Sequence, residues 1–548
     1  MFVLYRNYDV LYGKVCDLNY FHQIPQTVID KSMKPMYNVG NDMTVITNYI
    51  KEMSNVMKRT LSILLLFAML TTPAVLTSCG ESEANAEPVA DTVVSSPDVV
   101  ADDAEIPVEE ETRPMHKVPD NLDFEASVFN IVYPDWQGYK YYFFADETNG
   151  DPMNDAIFNR TTVVEEYLNV DIAQTQVASI ADVAPALQQS VTAQDDAYQL
   201  ALTHCIQNVA SMVTGGYLYN YDKLNYVDYN AEWWNREMMD VLRLGKNTYY
   251  GVSDYMIPCP YAIFFNKNLI EDYNFENPYE LVYNGEWTID KFCEMATAVT
   301  TDTNGDGKFT NEDIIGVCCE EGSKYISFMT GADQYMTKKN EQGQIELDMN
   351  TDRMVTIVEK LAALANTTGV VASENTIFIK DGKLLFELHT IANAVNYRDT
   401  DVDIGILPYP KFDTAQENYI SLDWGGLMCI PTTIGNPDMV GATLELLAYE
   451  SANEVIPTYY DVLLEGKLAR DTDTIAMLDI LFDTIAYEVG GNYFGFESGL
   501  SDLFYTTCRL TFYNKSADFA SWYKTKEKAS AKILERFYKS LEELEALG

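Results

Sequence analysis

The chain is poor in basic residues and in histidine. Its 548 residues hold 37 Lys plus Arg, 83 Asp plus Glu and four His, a formal net charge of −46. A surface of that sign repels phosphate, which argues against nucleic acid as a partner. The sequence has no HExxH, GxSxG, P-loop or GxGxxG motif. The metalloprotease, serine-hydrolase and nucleotide-binding readings therefore lose their usual carriers. Paired carboxylates for glycoside hydrolysis have no distinguishing spacing in so acidic a chain, and a surface glycan hydrolase stands as the alternative to a binding function. Nine cysteines occur at irregular spacing with no CxxC pair, which argues against a disulfide framework. They read mostly as small buried apolar residues.

What is present begins with a targeting signal. Residues 57–79 read MKRTLSILLLFAMLTTPAVLTSC, with Lys58 and Arg59 ahead of an apolar run from Leu61 to Leu70. That run falls short of the roughly 20 residues a membrane-spanning helix needs and fits a secretory signal. Its end, Leu76-Thr77-Ser78-Cys79, resembles a bacterial lipobox, so residues 57–78 are expected to be removed and Cys79 to be lipidated. From Gly80 to Thr112 there are eleven acidic residues and no basic one, with Pro88, Pro97 and Pro107 interspersed. Such a composition cannot bury a core, and residues 79–123 are expected to be a disordered tether. Translation is expected to start at Met53 or Met57, which leaves residues 1–56 upstream or disordered.

From about Ala126 onward, strand-like and helix-like segments alternate. Ser127–Tyr133, Tyr198–Thr203, Tyr261–Phe265, Leu384–Leu388, Asp403–Leu407 and Leu427–Ile430 are short apolar runs suited to strands. Helices are expected at Asp155–Tyr167, Ile180–Val191, Asp290–Thr300, Thr351–Ala365, Asp438–Glu450 and Asp518–Leu547. In one of them Ile289, Phe292, Ala296 and Val299 share a face behind an N-cap at Thr288. The last is expected to start near Ser516 and bury Phe519, Trp522, Ile533, Phe537, Leu541 and Leu544. Trp233 and Trp234 read as packing residues on a surface helix. The alternation implies an α/β architecture with mostly parallel sheets.

Three stretches carry a resemblance to the family 1 extracellular solute-binding proteins, the group that includes maltose-binding protein. They are ETNGDPMNDAIFNRTTVVEEYLNV (147–170), YAIFFNKNLIEDY (261–273) and DGKLLFELHTIANAVNYRDTDVDIGILPYPKF (381–412), the last followed by Trp-Gly-Gly. Phe265 stands where the family usually has tyrosine. The resemblance implies a two-lobed periplasmic-binding-protein-like (type II) fold with hinge strands and ligand held in the cleft. Lobe one would comprise 124–262 and 428–488, and lobe two 266–422 and 492–548. It also implies a monomer on the extracytoplasmic face of the cell membrane. Held there by its lipid anchor alone, it would deliver a small solute, a sugar or oligosaccharide, to the permease subunits of an ABC importer.

Two local patterns suggest binding chemistry. DTNGDGKFTNED (302–313) matches a calcium loop, with Asp302, Asn304 and Asp306 at positions one, three and five. Gly307 stands at six, the Lys308 carbonyl at seven, Thr310 at nine and Asp313 at twelve. A calcium ion here is expected to be structural. For the solute, strand ends are the informative positions. His204 and His389 follow apolar runs, Trp136 follows the first strand, and Asp423-Trp424 precede Gly425-Gly426. Sugars present apolar faces ringed by hydroxyls, so a site combining Trp424 and Asp423 with Trp136, His389 or His204 suits them.

Overall fold

The structure, a computed structural model, describes residues 114–546 apart from 137–138, 205–208, 319–322, 373–376, 424, 464–470, 495–499, 501–502, 504–506 and 508–509. The expected signal segment, Cys79, most of the acidic stretch and Trp424 lie outside the described residues. Elements begin where capping chemistry allows. Helix α1 (Pro152–Leu168) opens with Pro152 at its first turn and Asp151 accepting from Asn154 N, and Asn169 closes it in the left-handed region. Helix α4 (Ile289–Val299) is capped by Thr288, and the four residues read as one face are all buried.

Two sheets carry the architecture. The first has the order β12-β3-β1-β2, from β1 (Ser127–Pro134), β2 (Val170–Val177), β3 (Leu200–His204) and β12 (Gly426–Cys429). The second has the order β10-β4-β9-β5-β8, from β4 (Tyr261–Asn266), β5 (Ile315–Cys318), β8 (Val371–Ala372), β9 (Leu384–Thr390) and β10 (Ile404–Leu407). The hairpin β6 (Thr337–Lys339) and β7 (Ile345–Leu347) stands apart, and β11 (Ser421–Leu422) pairs in parallel with β13 (Ile485–Ala486). The sheets are less uniformly parallel than expected: β12 runs antiparallel to β3, and β4 antiparallel to both β9 and β10. These are the strands that enter their sheets from a crossing, so they arrive from the opposite end.

Helices cover the sheets and fix the lobes. Helix α2 (Val183–Ala193) packs on β3. Helix α4 lies so close to β5 that a Cβ at Gly316 would meet the Ala296 carbonyl oxygen at 2.2 Å. Helix α5 (Asp352–Asn366) packs on α4, and α6 (Pro437–Glu450) and α7 (Ile456–Leu463) pack on α1. Helix α8 (Thr472–Asp483) packs on β10 of the second sheet. Its cap Asp471 accepts from Lys267 and Tyr279, which ties this helix to the second sheet. The expected tether boundary moves as well. Val118 is buried, Tyr167 Oη donates to its carbonyl, and Phe124 N donates to Leu168 O, because apolar residues return to the sequence after Arg113.

Helix α9 (Phe519–Glu545) starts one residue after the expected Asp518, which is its N-cap, and buries Phe519, Tyr523, Leu534, Phe537 and Leu541. Trp522, Ile533 and Leu544 are only half-buried, since the packed stripe is rotated by about one residue. Trp233 and Trp234 do not lie on a surface helix. They are buried in the turn before α3 (Arg236–Leu242), and both indole N–H groups donate to the fully buried Glu445 at 3.1 and 2.7 Å. Burial raises the pKa of Glu445 while the indole donors oppose the rise.

Candidate site at the lobe crossings

The carboxyl ends of both sheets converge on the crossing segments. In the first sheet β1 and β3 are parallel and end at Pro134 and His204, and His204 lies opposite Gly426 at the start of β12. In the second, β9 ends at Thr390 opposite Tyr261, the first residue of β4. Pro260, just before β4, bridges Asp423, just before β12. Open α/β sheets bind ligands at such carboxyl ends.

Asp423 ties three crossings together. Its N–H donates to Ala486 O at 3.1 Å, and its Oδ2 accepts from Tyr487 Oη at 3.2 Å and from Cys259 N at 3.4 Å. The residue is buried, 4% exposed. Cys259 is held beside it, and burial, with the Asp423 carboxylate, pushes its thiol up to about 11, so it remains a thiol at neutral pH. Neither Cys259 nor Tyr487 stands out as a site residue in the sequence. Their contacts reach across the chain, and no local pattern marks them.

The nominated residues occupy the same region. Trp136 packs edge-on against His204, ring centroids 6.0 Å apart, and its buried indole Nε1 has no hydrogen-bond partner among the described residues. His204 is buried, and desolvation lowers its pKa to about 4, which makes it a neutral imidazole. His389 lies in β9 opposite Ala262, with its Nδ1 2.9 Å from Thr390 N. Trp424, between Asp423 and Gly425, is outside the described residues. A cavity of about 830 Å³ adjoins the crossings, lined by both lobes. Its walls include Trp234, Tyr335, Tyr459, Tyr460, Phe482 and Tyr487. Among the described residues, Trp136, His204, His389 and Asp423 do not line it. Tyr487 connects the two regions, since it lines the cavity and its hydroxyl donates to Asp423.

The calcium-like loop folds on its own side chains. Asp302 accepts from Gly305 N and Gly307 N, Asn304 from Asp306 N, and Asp306 from Lys308 N. Asp313 turns both oxygens toward Thr303 and Thr310, accepting from their N–H and hydroxyl groups. These donors hold its carboxyl below the usual range. Among the described residues no three His, Cys, Asp or Glu side chains are grouped as a metal centre. The oxygen-rich donor set suits calcium, whereas the twelfth position is engaged within the loop.

No protein-family model and no curated protein sequence matches the chain. Solved structures do. The fold is that of the two-lobed solute-binding proteins. The cyclic α-maltosyl-1,6-maltose binding protein of Arthrobacter globiformis matches with a TM-score of 0.53 at 11% identity, covering 75% of this chain and 99% of its own. The galacto-N-biose/lacto-N-biose I-binding protein of the ABC transporter of Bifidobacterium longum matches with a TM-score of 0.52 at 14% identity, covering 76% and 98%.

Proposed function

We propose that the chain is an extracytoplasmic solute-binding protein that captures a carbohydrate for an ABC importer and does not catalyse. The observation that carries this reading is the convergence of the carboxyl ends of both sheets on crossings joined at Asp423. That arrangement suits a ligand bound between lobes and a hinge motion that couples occupancy to docking. Near-complete coverage of two structures whose names describe sugar-binding proteins supports the carbohydrate class. Trp424 stacks on the sugar, Trp136 supplies a second aromatic edge, and Asp423, His204 and His389 exchange hydrogen bonds with hydroxyls.

In this reading Cys79 is acylated and holds the protein at the outer face of the membrane. Among the described residues no helix is long and apolar enough to cross a membrane. In the same reading calcium binds the 302–313 loop, with Asp302, Asn304, Asp306, the Lys308 carbonyl and Asp313 as its ligands. The decisive experiment for function is a thermal-shift and calorimetric screen of mono- and oligosaccharides. A ligand bound only by the native state raises Tm. One sugar per chain, recovered intact, is the expected result, whereas turnover of a glycan by the purified protein would overturn the reading.

A further inference from the structure

Against a net charge of −46, one helix face reverses the sign. Between residues 524 and 539 of α9 there are six basic and two acidic residues. Lys524, Lys528, Lys532, Arg536 and Lys539 are all exposed. Their spacing of four, four, four and three residues aligns them along one side of a helix. The row spans about 22 Å at the helical rise. It lies opposite the buried side formed by Phe519, Tyr523, Leu534, Phe537 and Leu541, which holds α9 on α5 and β7. Lys539 reaches Glu543 at 3.8 Å, and among the described residues Lys524, Lys528, Lys532 and Arg536 enter no ion pair. Of the two acidic side chains in this span, Glu535 lies within the row and Glu527 flanks it beside Lys528, and Glu542, Glu543 and Glu545 mark its end.

We propose that this basic face rests against the anionic phospholipid headgroups of the membrane to which the protein is anchored. The inference builds on the anchored placement above and adds a second, electrostatic contact to the expected lipid anchor. Lysine is depleted in protein–protein interfaces and rare among their energetic anchors, so a lysine row is poorly suited to a protein partner. A straight row of like charges suits a flat array of opposite charges. Each lysine or arginine near an anionic surface adds a modest attraction that reaches about one Debye length. The rest of the acidic body is repelled, so the row sets which side faces the membrane. Because the apolar side of α9 is packed into the protein, the contact is superficial and salt-sensitive.

The test is co-sedimentation of the full chain carrying Cys79→Ala, so that no acyl chain contributes, with vesicles of 30% phosphatidylglycerol in phosphatidylcholine and with pure phosphatidylcholine. Lys524→Gln, Lys528→Gln, Lys532→Gln and Arg536→Gln together should lower binding to the anionic vesicles at least tenfold without changing Tm. Binding to phosphatidylcholine should stay as it was. Binding before substitution should also fall at least tenfold between 50 and 300 mM salt, which tests the proposal without any helix substitution. Equal binding by the fourfold variant, salt-independent binding, or preference for soluble polyphosphate or an acidic protein over vesicles would each overturn the proposal. Fatty-acid labelling of Cys79 in the unmodified chain reports on the anchor separately, so failure of one reading is distinguishable from failure of the other.

Discussion

The two sheets take in their crossing strands differently. The first receives β12 at the end of its order, beside β3, with only the Gly251 bridge to Met428 on the other side, whereas the second receives β4 in its interior, between β10 and β9. Removing β12 would leave β3-β1-β2 intact, but removing β4 would separate β10 from β9-β5-β8. The second lobe therefore depends on its connection to the first, and the first depends less on the return. The largest expected effect follows from this difference. Phe264→Ala in β4, at a fully buried position, should cost about 3–5 kcal/mol. Met428→Ala in β12, equally buried, should cost about 2–3 kcal/mol, at the low end for such truncations because neighbours fill in more readily behind a flexible, unbranched side chain. Urea unfolding of both variants checks the order, and a larger loss in β12 would break the comparison.

Buried ionisable groups sharpen it further, because they titrate in opposite senses. His204, at the end of β3, has its pKa lowered to about 4 by burial. Stability from keeping it neutral is complete above about pH 6.5 and should fall as the pH drops toward 4, since the unfolded chain takes up the proton first. Glu488, at the third crossing, is fully buried and raised to about 7, although Thr337 Oγ1, Met336 N and Gly490 N donate to it. Its contribution is complete below about pH 4.5 and should be lost as the pH rises through 7. Each dependence is worth at most about 3 kcal/mol. Tm against pH should flatten on the acid side in His204→Gln and on the neutral side in Glu488→Gln. An unchanged profile in either variant would contradict the assignment.

A smaller effect belongs to the solute. Trp424→Ala should weaken sugar binding by about 1–3 kcal/mol with little change in Tm, as expected for a side chain that contributes chiefly to the ligand contact. The smallest belongs to the loop. EGTA should lower Tm by a few degrees relative to millimolar calcium and leave solute affinity unchanged. Identical melting in the two would argue that the engagement of Asp313 within the loop excludes the ion.

These contrasts explain how far the sequence could be read. Apolar runs such as SVFNIVY and LLFEL announce buried strands, and Thr288 with its apolar face announces a capped helix. Every strand nominated that way is present to within a few residues. The two-residue strands β11 and β13 have no periodicity to detect, yet they pair the second and third crossings. The site was legible in part for the same reason. Strand ends pointed to Trp136, His204 and Asp423, and the structure gathers all three near the crossings. Tyr487 and Cys259, which touch Asp423 across 64 and 164 residues, needed the fold before they could be seen. Trp233 and Trp234 misled because their acidic, polar neighbours read as surface, while Glu445, the buried group that receives their N–H bonds, is 212 and 211 residues away.

In the proposed function a sugar binds between the lobes at the crossings and leaves unchanged. Calorimetric titration of the purified chain with a panel of mono- to tetrasaccharides, followed by chemical recovery of the ligand, tests it most directly. One intact sugar per chain is expected, with affinity reduced by about tenfold or more in Trp424→Ala. No binding across the panel, or cleavage of a glycan abolished by changing a single carboxylate, would contradict it.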